Sequence, residues 1–165
     1  MTGKKALGTL PLMTMVLFSD GGARGNPGPA ATGVMIYQTD KKISEIVTDP
    51  HYQKYGDSLV ELSTYLGETT NNVAEWSAVI EGVEWVNTHY PDEEIVGFLD
   101  SELIQRQIIG RYKVKDSKMQ ELKKQFEQAM KGKQFNFVHI LRSLNARADA
   151  LVNETLDSVK EDEEE

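Results

Sequence analysis

Two apolar runs end on an aspartate without leaving the face they were building, and no other feature constrains this chain as much. Met13 to Ser19 is rich in apolar residues and stops at Asp20-Gly21-Gly22; Ile95 to Leu99 stops at Asp100. Side chains alternate along a strand, so Val16, Phe18 and Asp20 share a face, as do Val96, Phe98 and Asp100. A lone carboxylate continuing an apolar face is expensive to bury. Both acids also fall at the carboxyl ends of their strands, where open α/β sheets collect ligands.

Hydrophobic periodicity orders the other elements. Gly25-Asn26-Pro27-Gly28-Pro29 is a turn by composition, since Pro fixes φ and Gly supplies positive φ. Ala31 to Gln38 reads as a second strand, antiparallel to the first, and Leu59 to Leu66 as a third ending at Gly67. Between them 39–57 is polar and irregular, with Ile43 to Val47 read as a short strand. Asn71 or Asn72 is expected to cap a helix reaching about Thr88, with Val73, Trp76, Ile80 and Val83 as its apolar stripe. Ser101 to Ile109 and Asp116 to Met130 read as helices, and Phe135 to Leu141 as a last strand. Ala148, Leu151, Val152, Thr155, Leu156 and Val159 carry the spacing of an amphipathic helix.

At 165 residues the chain matches one domain with a real core. Residues 1–11 read as a flexible arm, 12–159 as the domain and 160–165 as an acidic disordered tail. The formal net charge of −8 looks wrong for contact with nucleic acid, but the distribution matters more than the sum. Nine basic residues stand against four acidic ones from Ser101 to Lys133, from Arg106 to Lys133 itself; this is either a solvated helix face or a grip on a polyanion. The absence of Cys excludes disulfides, thiolate metal sites and a cysteine nucleophile, and fits a reducing, cytoplasmic setting. No stretch reaches the roughly 18 apolar residues of a membrane span, and the apolar run after Lys4-Lys5 lacks a small-residue cleavage site.

Two further acids join the aspartates. Glu75 is placed in the first turn of its helix, followed by Val79, Gly82 and Val86 on an apolar or small face; Asp149 opens the last helix beside its apolar stripe. Each acid alone has a structural reading, as a strand-end turn former or a charge at a helix N-terminus. Gathering four of them requires a cation, because like charges repel. Oxygen-only ligation suits Mg²⁺ or Mn²⁺ over Zn²⁺. The glycines at 22, 25 and 28 match neither a P-loop nor a dinucleotide fingerprint. His139 reads as a strand histidine.

Four segments in order carry a resemblance. Asp20-Gly21-Gly22-Ala23-Arg24-Gly25-Asn26-Pro27-Gly28-Pro29-Ala30 resembles the first motif of type 1 ribonuclease H, and Thr69-Thr70-Asn71-Asn72-Val73-Ala74-Glu75 its second. Leu99-Asp100-Ser101 resembles the third and Arg142 to Leu151 the fourth, in a form closer to the archaeal and short bacterial branch without the basic handle. The resemblance implies an α/β ribonuclease H-like fold, a mixed five-stranded sheet with three antiparallel strands and two parallel additions, flanked by helices. It implies a monomeric endonuclease that hydrolyses the RNA strand of RNA–DNA hybrids to 5′-phosphate and 3′-hydroxyl ends. Asp20, Glu75, Asp100 and Asp149 would be its catalytic, metal-holding carboxylates with two Mg²⁺ ions, Mn²⁺ substituting. Asn26, Asn71 and Asn72 would meet the minor groove, Thr70 a DNA phosphate, and Arg142 the substrate. The basic segment would then grip the duplex backbone. Arg142 stands nearest the place where many members carry a mobile histidine, and Glu102 replaces a familiar glutamine. The alternative is a non-catalytic module of the same fold that binds RNA or hybrid.

Overall fold

The computed structural model describes residues 13–164. Strands β1 (Thr14–Ala23) and β2 (Gly28–Thr39) form a long antiparallel pair in which Asp20 faces Gly33. A short helix α1 (Ile43–Ile46) and a 3₁₀ turn (Tyr52–Tyr55) follow, then β3 (Val60–Leu62) and β4 (Tyr65–Thr69). Helix α2 (Asn71–His89) leads to β5 (Glu94–Leu99), α3 (Glu102–Ile108) and α4 (Ser117–Ala129). Strand β6 (Phe135–His139), a 3₁₀ turn (Arg142–Asn145) and α5 (Ala146–Glu164) complete the order.

The sheet runs β3-β2-β1-β5-β6, with β4 also on β2. β5 lies parallel to β1, their last pair being Ser19 and Leu99, and β6 lies parallel to β5. Asp20 and Asp100 therefore each stand one residue beyond the last paired positions of neighbouring parallel strands. Strand alternation sorts the core as the sequence predicts. Val16, Phe18, Val96 and Phe98 pack together on one face with Leu151 of α5, and Met15, Leu17 and Ile95 on the other with α2. Helix α2 is buried on more than one side because α4 covers it with Met119, Leu122 and Phe126. The Trp76 indole N–H, fully buried there, donates to Gln107 Oε1 at 2.9 Å.

Several expectations are corrected. The third strand is interrupted at Ser63-Thr64, so six strand segments replace five. Thr64 N–H donates to the Thr32 hydroxyl at 2.9 Å and the Ser63 hydroxyl to the Thr32 carbonyl at 2.7 Å, so side chains displace the regular ladder. Ile43 to Val47 is not a strand: its apolar residues at 43, 46 and 47 have helical spacing, and Ile46 is fully buried. The segment 40–57 in fact roofs part of the sheet, with Tyr52 and Tyr55 at 6.0 and 6.5 Å from the Phe18 ring. Thr70, and neither Asn71 nor Asn72, caps α2; its hydroxyl accepts from Val73 N–H at 3.3 Å. Glu75 consequently falls in the second turn. The expected disordered tail continues as helix through Glu164, in keeping with the good helix propensity of Glu. The expected arm, residues 1–11, lies outside the described residues.

Candidate active site

The carboxyl ends of β1 and β5 deliver Asp20 and Asp100, and two helices must approach closely to add the others. Gly21 permits the first approach. A Cβ at Gly21 would sit 2.2 Å from the Ala74 carbonyl carbon and 2.5 Å from the Glu75 nitrogen, so only glycine lets α2 press its backbone against β1 there. Gly33, opposite Asp20, does the same for α5: its Cβ would lie 2.2 Å from the Ala148 carbonyl oxygen. Asp149 is the next residue.

One oxygen from each of Asp20, Glu75 and Asp100 lies within 4.8 Å of the others, a spacing that could hold a metal ion. Asp149 stands outside that triad but lines the same cleft, about 510 Å³ in volume, with Asn71, Ser101 and Arg142. Asp20 and Glu75 are buried, and the side chain of Asp149 is 35% exposed. The Glu75 Oε2 and Asp100 Oδ2 atoms are buried without a hydrogen-bond partner. Such oxygens are costly unless a cation completes them.

Electrostatics carries the same mark. Burial, followed by the charges of Asp100 and Asp149, pushes the Asp20 carboxyl from 3.8 up to about 7. Burial and then the Asp20 and Asp100 charges hold Glu75 well above the usual carboxylate range. Asp100 is raised by burial, against the opposing pull of an Asn145 hydrogen bond and of Arg142 and His139. Three acids that resist ionisation next to one another fit a divalent cation bound by oxygen, with no thiolate available.

The expected substrate-binding residues divide. Asn71 and Arg142 line the cleft; Asn26, Thr70 and Asn72 do not. Asn26 Oδ1 accepts from Asn71 N–H at 3.0 Å, and Asn71 Oδ1 accepts from Ala23 N–H at 2.8 Å, so the two asparagines clasp the β1–β2 loop to the start of α2. Both amide oxygens are thereby engaged, leaving their NH₂ groups as donors. Arg142 is 83% exposed in its side chain and 3.8 Å from Asp149. Asn145 is a further residue of the site that the sequence pattern alone gives no role. Fully buried, it donates to the Ser19 carbonyl at 2.8 Å, tying the start of the last helix to the end of β1, and it favours the ionised form of Asp100 beside it. Its signal was an amide immediately ahead of the helix that carries Asp149.

The chain is similar to known proteins over most of its length. Residues 19–155 match the family described as reverse transcriptase-like, which defines the class. A bifunctional protein of Mycobacterium tuberculosis is 32% identical over 147 residues, 88% of this chain but 36% of that relative. Ribonuclease HI of Halobacterium salinarum is 32% identical over 142 residues, 85% of this chain and 63% of its own length. The chain thus spans roughly a third to two thirds of these curated relatives. A crystal structure of LC11-RNase H1 in complex with an RNA/DNA hybrid superposes with a TM-score of 0.74 at 40% identity, covering 88% of this chain and 99% of that one. The chain belongs to the type 1 ribonuclease H family.

Proposed function

We propose that this chain is an endonuclease that hydrolyses the RNA strand of RNA–DNA hybrids, with Asp20, Glu75, Asp100 and Asp149 holding two Mg²⁺ ions that Mn²⁺ can replace. The observation that carries the reading is the buried triad of Asp20, Glu75 and Asp100, two of whose buried oxygens lack any partner. A binding module without turnover has no use for so costly a cluster. LC11-RNase H1, similar over nearly its whole length, was crystallised with an RNA/DNA hybrid, which supports the same substrate here.

The ions, when bound, supply activation of the attacking water and charge neutralisation at the leaving 3′ oxygen. The chain's own residues do the positioning. Asp20 and Glu75 are locked against each other across Gly21, so their oxygens are preorganised. Asn145 holds the start of α5 against the end of β1, and Asp149 closes the cluster from α5 with more freedom, being partly exposed. The asparagine NH₂ groups at 26 and 71 are donors for sugar and base-edge oxygens on the minor-groove side, where 2′-hydroxyls separate RNA from DNA. Asn72 and Thr70 extend that surface, and the basic residues from Arg106 to Lys133 bear on the duplex backbone.

The test is cleavage of hybrid, double-stranded RNA and DNA duplex with Mg²⁺ or Mn²⁺, with and without EDTA. Metal-dependent cutting confined to the RNA strand of the hybrid, yielding 5′-phosphate ends, is the expected result. Hybrid binding without cleavage in either metal would overturn it in favour of the binding module.

A further inference from the structure

The cleft holds an arginine that the carboxylate chemistry leaves unused. Of the residues lining it, Arg24 and Arg142 are the cations, against four carboxylates. The backbone around Arg24 is fixed. Ala23 N–H donates to Asn71 Oδ1 and Arg24 N–H to the Pro29 carbonyl, each at 2.8 Å. Behind it, a Cβ at Gly28 would lie 2.1 Å from the Arg24 carbonyl oxygen, so the loop closes tightly on that peptide. The long side chain is therefore the movable part of a rigid loop.

Its guanidinium rests against α5. Arg24 Nη2 lies 2.7 Å from Asp157 Oδ1 and donates to Asn153 Oδ1 at 3.3 Å. Asn153 Nδ2 in turn donates to the Asp149 carbonyl at 3.1 Å, which links the arginine to the helix segment bearing the fourth acid. The ion pair is open to water, with side-chain exposures of 40% for Arg24 and 62% for Asp157. Exposed pairs of this kind are held weakly. A phosphate offers the guanidinium a bidentate, charge-assisted pairing in exchange.

We propose that Arg24 grips a backbone phosphate of the hybrid in the cleft, and that Asp157 parks the guanidinium until the duplex arrives. The inference rests on the proposed hybrid-cleaving function and adds a contact to it. With the four carboxylates taken up in holding the ions, a cation on a preorganised loop at the edge of the cleft is left to meet the duplex backbone.

Steady-state cleavage of a labelled RNA–DNA hybrid, measured from about 50 to about 200 mM KCl, tests it together with thermal melts. Arg24→Ala is expected to raise KM with kcat little changed, and to flatten the slope of log(kcat/KM) against log[KCl] by about 1, one phosphate contact's share. Its deficit should shrink about threefold across that salt range. Arg24→Lys should keep the wild-type slope. Asp157→Asn, which frees the guanidinium, should lower KM by roughly threefold or less. If Arg24 only braces α5, both Arg24→Ala and Asp157→Asn lower Tm, and neither changes the salt slope or lowers KM; that result overturns the proposal alone. A wild-type chain that cuts no hybrid in either metal would overturn the parent reading as well.

Discussion

Replacing Asp20 with Asn should make the metal-free protein more stable, and the gain should depend on pH in a defined way. The folded carboxyl titrates at about 7 and the unfolded one near 3.8. An acid whose folded pKa is raised keeps its proton longer in the native state, so native stability falls as pH climbs from the unfolded value through the folded one. Two-state linkage with these values puts the penalty at about 2 kcal/mol at pH 5 and about 4 kcal/mol at pH 8, where it levels off. The variant's amide and the protonated acid are both neutral buried polar groups, so their desolvation costs roughly cancel. The net gain is then about 2 kcal/mol at pH 5 and about 4 kcal/mol at pH 8, the latter about 8–16 °C in Tm for a domain of this size. Thermal melts in EDTA at the two pH values measure it directly. Adding Mn²⁺ should then raise the wild-type Tm more than the variant's, since binding to the native state stabilises it. A variant less stable than wild type at pH 8 in EDTA, or a gain equal at both pH values, would refute the electrostatic reasoning.

Gly21→Ala should lower stability by about 1–3 kcal/mol and depress cleavage by pushing α2 off β1, whereas Gly22→Ala should be mild, its Cβ meeting only Val152 at 3.5 Å; melts and rates of the two compared side by side check this. Asn145→Ala should cost about 1–3 kcal/mol by stranding the buried Ser19 carbonyl, read as a denaturant-midpoint shift. Losing its hydrogen bond should also move Asp100 to higher pH and push the acid limb of the cleavage profile upward.

The sequence was most legible where a local rule sufficed. Strand alternation placed Asp20 and Asp100 on one apolar face, and the packing of Val16, Phe18, Val96 and Phe98 agrees. Helical spacing puts Met119, Leu122 and Phe126 on one side of the helix read over Asp116 to Met130, and all three are in the core. It was least legible where two elements meet. Nothing local to Glu75 says that it will pass Gly21 to reach a strand end, because that depends on how closely α2 and β1 pack. Thr70-Asn71-Asn72 are three capping residues in a row, and the choice of Thr70 is settled by where the chain leaves β4. Ile43 to Val47 misled through β-branched composition while its spacing was helical. The 40–57 connection is polar and irregular in sequence, yet folding gathers its Ile46, Tyr52 and Tyr55 over Phe18. Asn145 is marked in the sequence only by its place just ahead of the last helix; its role comes from a partner 126 residues away, the Ser19 carbonyl on β1.

The shared metal-holding role of the carboxylates is tested most directly by hybrid cleavage in Mg²⁺ with Asp20→Asn and Asp100→Asn, each verified as folded by circular dichroism. Both variants should keep the wild-type spectrum and lose cleavage. If both still cut the RNA strand at the wild-type rate, these carboxylates do not hold the ions that the reaction needs.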